Sequence, residues 1–248
     1  MIVLKSAAEL DKMRAAGRIV AAILAQLETL IKPGVTSGEL DQLAERECVR
    51  QGATPAFKGY GGFPYALCAS PNDRVVHGFP DRRPLQEGEI LSIDFGVLYK
   101  GYYGDAAITA PVGQVDPATA SLVTVTRDAL MRAIDKAVSG GRLSDISHAV
   151  QSWVEPRGFS VVREFVGHGI GRQLHEAPQL PNFGAPGQGP RLKAGMTLAI
   201  EPMINAGVAG VKILEDGWTA VTQDGKRSAH FEHTVAITEH GPEILTRV

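Results

Sequence analysis

The chain repeats one order of elements, and that repeat restricts the fold more than any single motif. At an offset of 106 residues, Gly34 aligns with Gly140, Glu39 with Asp145, Leu40 with Ile146 and Gly52 with Gly158. Around each set the pattern reads helix, glycine turn, helix, glycine, then β. In the first half Ser6 and Glu9 have the spacing of a capping box, and Met13, Gly17, Val20, Leu24, Leu27 and Ile31 recur at helical spacing. Lys32-Pro33-Gly34 stops that helix, and Thr36 with Glu39 caps a second one running to about Arg50. In the second half Asp116-Pro117 opens a helix to about Val138, and another spans about Ser144 to Glu155. Such a repeat predicts a duplicated ααββ unit of the α+β class, with halves of about 1–112 and 113–248. No linker separates them, so one domain is expected.

The β segments carry charge where a core is expected. Ile90 to Val97 alternates, with Leu91, Ile93 and Phe95 on one face and Ser92 and Asp94 on the other. A turn at Tyr99-Lys100-Gly101 leads into a strand in which Asp105, Ala107 and Thr109 share a face. Thr197, Ala199 and Glu201 line one face of a later strand that Pro202 ends, and Ala229 to Ile237 reads as the final strand, with His230, Glu232 and Thr234 on one side. Asp94, Asp105, Glu201 and Glu232 are thus each expected mid-strand in apolar surroundings. A lone carboxylate of this kind usually marks an exposed sheet face. Four of them, with His168 between glycines in Phe165-Val166-Gly167-His168-Gly169-Ile170-Gly171, argue instead for convergence. Converging anions cost several kcal/mol each, roughly, when buried uncompensated, and a cation removes that cost. A carboxylate-rich set with one imidazole suits hard or borderline divalent ions. Four carboxylates exceed the three protein ligands of a usual catalytic zinc and suit two ions about 3.5–4 Å apart.

Bulk properties exclude more than they identify. With 25 basic and 27 acidic residues the chain has no global pull toward nucleic acid or an anionic membrane. No apolar run approaches the roughly 20 residues of a membrane span, and no signal peptide is read at the N-terminus. Two cysteines make no disulfide framework, which points to the cytoplasm. Cys48 lies on a helix face with Leu40 and Ala44 and is expected to pack as a small core group. Residues 55–88 read as a long aromatic loop containing Tyr60, Phe63 and Cys68.

The order His77, Asp94, Asp105, His168, Glu201, Glu232, together with Glu201-Pro202-Met203 and Phe231-Glu232-His233-Thr234, resembles the type I methionine aminopeptidases over essentially the whole chain. The resemblance implies the pita-bread (creatinase/aminopeptidase) fold, with duplicated ααββ halves around a curved antiparallel sheet. It implies hydrolytic removal of the N-terminal methionine of nascent proteins when the second residue is small. Two divalent metal ions per chain would be held, with Co, Mn, Fe, Zn and Ni all candidates. Asp105 and Glu232 would bridge them, Asp94 would chelate one, and His168 and Glu201 the other. Glu201 would also shuttle protons, His175 would steady the tetrahedral oxyanion, and His77 would contact the substrate backbone. Tyr60, Phe63, Cys68 and Trp218 would line the methionine side-chain pocket. Partners implied are nascent polypeptide N-termini, with the ribosome a candidate meeting place and a monomer the expected state. The sequence departs from the common pattern at Leu174, Phe57, Phe63 and Ala106-Ala107, which bears on selectivity and rate rather than on the metal core. The rivals are a proline-specific peptidase of the same fold and a catalytically inactive peptide-binding relative. His230, His233, His148 and His240 are read as structural.

Overall fold

A computed structural model describes residues 1–247; Val248, the end of the expected second half, lies outside the described residues. Helix α1 (Ala7–Leu30) starts where the Glu9 carboxylate accepts the Ser6 backbone N–H at 2.9 Å. Helix α2 (Ser37–Arg50) starts the same way, with Thr36 N–H donating to Glu39 at 2.8 Å. Helix α3 (Pro117–Ile134) is capped by Asp116, which accepts from Thr119 N–H at 2.9 Å. It ends short of Val138, because Lys136 and Ala137 bond carbonyls three residues back and tighten the chain into a turn. Helix α4 (Leu143–Val154) begins with Asp145 accepting from Arg142 N–H at 2.8 Å. The repeat extends to backbone geometry. Gly34 and Gly140 have φ of 92° and 90°, a region that favours glycine, and their N–H groups donate to Leu85 and Leu192.

In the first half the strands are β1 (Thr54–Pro55), β2 (Cys68–Pro71), β3 (Arg74–Val76), β4 (Ile90–Tyr99) and β5 (Tyr102–Pro111). The stretch 55–88, expected as loop, therefore contains two strands, and β2 pairs with β4. The second half contributes β6 (Ser160–Val161), β7 (Gly167–Gly169), β8 (Glu176–Leu180), β9 (Thr197–Ile200) and β10 (Met203–Asn205). It continues with β11 (Val211–Ile213), β12 (Ala220–Thr222), β13 (Ser228–His230), β14 (Glu232–Thr238) and β15 (Gly241–Ile244). The run expected as one last strand, Ala229 to Ile237, is broken at Phe231 and is followed by β15.

The main sheet is antiparallel throughout, in the order β1-β4-β5-β14-β9-β7-β8, with β2 added on β4 and β15 on β14. Leu91, Ile93 and Phe95 pack against Ile19, Val20, Ile23 and Leu27 of α1. Leu198, Ile200, Val235 and Ile237 pack with Leu122, Leu130, Ile146 and Val150 of α3 and α4. Both helix pairs thus cover one face, and alternation sends Asp94, Asp105 and Glu232 to the other. Where that face ends, two neighbouring strands leave together. Pro202 has no N–H to continue the ladder beyond β9, so β10 crosses into a three-stranded sheet with β13 and β6. Opposite it the chain breaks at Phe231, between β13 and β14.

Candidate metal centre

Five consecutive strands of the main sheet each bring one donor residue to the same place: Asp94 on β4, Asp105 on β5, Glu232 on β14, Glu201 just past β9 and His168 on β7. Register explains the convergence. Ala107 on β5 pairs with Asp94 on one side and with Glu232 on the other, so the three lie in a row. Asp105 is two residues along β5 on the same face. Asp94 and Asp105 sit mid-strand, as expected; Glu201 and Glu232 sit instead at the ends of β9 and β14, where the chains cross between sheets. Thr234 ties β5 to β14 beside the site, accepting from Asp105 N–H at 3.0 Å and donating to the Asp105 carbonyl at 2.8 Å.

The glycines on either side of His168 have a packing role. They let strands approach each other. A Cβ on Gly167 would stand 2.5 Å from the Ala199 carbonyl oxygen, and one on Gly169 would stand 2.2 Å from that of Ala177. His168 is oriented by its own strand: its Nδ1 lies 2.9 Å from the Gly169 carbonyl. With Nδ1–H donating there, Nε2 keeps its lone pair for a cation, the usual arrangement of a ligating imidazole. Nε2 lies 3.5 Å from Glu201 Oε1.

Electrostatics in this cleft are unbalanced. Burial, opposed by His230 and reinforced by Glu201, raises the Asp94 carboxyl to about 7. Burial alone raises Glu201 to about 8. Asp105 and Glu232 are held well above the usual carboxylate range by burial first, and then by neighbouring charges, Asp94 and Glu201 acting on Asp105, and Asp105, Glu201 and Asp94 on Glu232. Asp94 Oδ1, Asp105 Oδ1 and Glu232 Oε1 are buried without a hydrogen-bond partner. Among the described residues Glu201 pairs only with imidazoles, and no lysine or arginine pairs with the other three. Orphaned buried acceptors cost about 1–3 kcal/mol each, and uncompensated charges more. The donor set therefore fits divalent cations. Asp105, His168 and Glu232 can bring ligand atoms within 4.8 Å of one another, as can Glu201, His230 and Glu232.

Every residue expected to bind metal or substrate lines one cleft of about 160 Å³. His175 and Tyr60 stand on one wall, with the Tyr60 hydroxyl 2.7 Å from His175 Nδ1 and the His175 ring centroid 4.3 Å from that of His168. Burial lowers His175 and brings His77 and His168 down to about 4, so all three are neutral at pH 7. Phe63 packs edge-on against Trp218 at 5.2 Å between centroids, and Phe57 and Leu174 complete the apolar end. Cys68 pairs in register with Asp94, and burial pushes its thiol far up, which makes it an inert apolar surface. His230, read from the sequence as structural, stands beside Glu201. It is 1% exposed, and its Nε2 lies 3.5 Å from Glu201 Oε2. Strand alternation placed it on the face of Glu232, and that was the available signal.

Comparison with known proteins gives a consistent result. The model of metallopeptidase family M24 matches residues 11–239. The chain is 55% identical to methionine aminopeptidase 1 of Bacillus subtilis over 248 residues, all of both chains. It superposes on the crystal structure of methionine aminopeptidase from Thermotoga maritima with a TM-score of 0.99 at 51% identity, covering 100% of each chain. A prolidase from Pyrococcus furiosus gives 0.79 at 23% identity, and the chain covers 66% of it, a likeness of fold alone.

Proposed function

The chain belongs to metallopeptidase family M24, and from that premise we propose that it is a methionine aminopeptidase that removes the N-terminal methionine of nascent polypeptides when the second residue is small. Identity to methionine aminopeptidases along the whole chain carries this reading. The proline-specific alternative has only a likeness of fold behind it. Four carboxylates and His168 around one cleft are donors enough for two cations: Asp105 and Glu232 would serve both, Asp94 one of them, and His168 with Glu201 the other. Because β4 and β5 come from one half and β7, β9 and β14 from the other, we read 1–248 as one catalytic unit. We take it to act as a monomer in the cytoplasm. Among the described residues no helix is long and apolar enough to cross a membrane.

Bound there, divalent cations would supply polarisation of the scissile carbonyl and acidification of the attacking water. The chain's own residues do the rest. Glu201 accepts the proton of that water and returns it to the leaving amine, as the only one of the four carboxylates with an imidazole at each oxygen. His175 stabilises the developing oxyanion. With the Tyr60 hydroxyl donating to Nδ1, the proton of the neutral ring sits on Nε2, ready to donate. His77, neutral and wedged edge-on against Phe165 and Trp218, offers a ring nitrogen to the substrate backbone. The thioether enters between Tyr60, Phe63, Cys68 and Trp218, where sulfur–aromatic contact favours it. The test is to supply Mn(II) or Co(II) and compare Met-Ala-Ser with Xaa-Pro peptides. Release of methionine only from the first is expected; hydrolysis only of the second would refute the proposal.

A further inference from the structure

We propose that His230 is a positioning residue for Glu201: its Nε2–H donates to Glu201 Oε2 from behind the site and so aims Oε1 at the cleft beside His168. The inference deepens the peptidase reading and rests on it. Three observations carry it. First, Glu201 has one imidazole at each oxygen, His168 Nε2 3.5 Å from Oε1 and His230 Nε2 3.5 Å from Oε2. Second, His230 Nε2 is buried without a hydrogen-bond partner, and Glu201 Oε2 is the acceptor that faces it. Third, Asp94, Asp105, His168, Glu201 and Glu232 all line the cleft, and His230 does not. Although its ligand atom can come within 4.8 Å of those of Glu201 and Glu232, it approaches Glu201 from outside the cleft, which makes it a support for a ligand rather than a further ligand.

The root of the ring cannot move to meet the carboxylate. His230 N–H donates to Thr109 Oγ1 at 2.9 Å, its carbonyl accepts from the same hydroxyl at 2.7 Å, and the residue pairs with Met203 between β13 and β10. At 3.5 Å the contact is a few tenths of an ångström beyond an ordinary N–H···O bond. Rotation of the carboxylate about its own bond closes it, and catalytic hydrogen bonds commonly tighten when a site is loaded. A ligating carboxylate is itself usually held by a hydrogen bond of this kind, and loss of such support typically costs about 10–100-fold in metal affinity or activity.

The experiment uses His230→Ala, His230→Gln and His230→Asn in the full chain. Cation-stripped protein is titrated calorimetrically with Mn(II), and kcat and KM are measured on Met-Ala-Ser. His230→Ala should bind Mn(II) about 10–100-fold more weakly at unchanged stoichiometry, with lower kcat and little change in KM. His230→Gln places an amide N–H near the position of Nε2 and should recover most of both losses; His230→Asn, one methylene shorter, should not. Loss of stoichiometry in His230→Ala would make the residue a ligand and overturn the proposal. So would Gln and Asn variants equally impaired, or Ala unchanged. Should His230→Ala fail to fold, the Gln–Asn contrast decides. A wild-type chain that binds Mn(II) but releases no methionine would sink the peptidase reading, and the titrations would still decide this one.

Discussion

Replacing Glu201 by glutamine should have opposite effects on stability with and without cations. In stripped protein, burial raises the Glu201 carboxyl from 4.5 to about 8. A group whose folded pKa lies above its unfolded value holds its proton in the folded state while the unfolded chain has lost it. The stability of stripped wild type therefore contains the full contribution of the neutral acid below pH 4.5 and loses it as pH rises toward 8. Each pH unit in that window costs about 1.4 kcal/mol, so from pH 5 to pH 8 the loss from this one group is about 4 kcal/mol. Glutamine has nearly the same shape and does not titrate. Stripped Glu201→Gln should thus match wild type near pH 5 and exceed it by about 4 kcal/mol at pH 8, a large share of the 5–15 kcal/mol typical of a whole domain. The buried histidines, which resist protonation, cancel because both proteins carry them. Enough Mn(II) should reverse the order, since the variant loses a ligand and with it mass-action stabilisation: about 2.7 kcal/mol at a hundredfold excess over Kd narrows the gap at pH 8, and about 5.5 kcal/mol at a ten-thousandfold excess overturns it. Urea unfolding at pH 5, 6.5 and 8, with and without Mn(II), measures all of this. A stripped variant no more stable than wild type at pH 8, or a difference that does not change with pH, would refute the electrostatic account.

Three further outcomes follow from the packing. Lys5 is buried and Glu176 half-buried where they pair at 2.5 Å, and Glu176 also accepts from Arg172 and Gln173 N–H in the segment that carries His175. Lys5→Met should therefore cost about 1–3 kcal/mol in urea unfolding and lower kcat; an unchanged melt would show the pair to be idle. Gly169→Ala forces a Cβ to within 2.2 Å of the Ala177 carbonyl oxygen and should cost about 1–3 kcal/mol, read from the same unfolding curves. Burial pushes the thiol of Cys48 up to about 12 and holds that of Cys68 well above its ordinary value. A thiol reagent at pH 8 should label neither in native protein and both in urea; fast native labelling of Cys68 would contradict its place in the apolar wall.

The legible parts of the fold were those with local causes. Ser6–Glu9, Thr36–Glu39 and Asp116-Pro117 announce helix starts because capping is settled within three residues. Asp94 and Asp105 could be placed on one face because β4 and β5 run ten residues each and pair without a register shift. What escaped depends on distant partners. The strands inside residues 55–88 exist because β2 finds β4 and β3 finds β12, and nothing local records either pairing. The break at Phe231 answers the exit of the neighbouring strand at Pro202, 29 positions earlier in sequence. Helix α3 stops early because the following turn is bonded to Leu192. The contact of His230 with Glu201 was hidden for the same reason: the two meet only because both chains cross between sheets at that point.

The central claim is that five adjacent strands hold two cations in one cleft. Anomalous diffraction at the cobalt edge from crystals of Co(II)-loaded protein tests it directly. Two anomalous peaks about 3.5–4 Å apart, among Asp94, Asp105, His168, Glu201 and Glu232, are expected. Absence of signal in that cleft, or cobalt bound only elsewhere on the chain, would contradict the account.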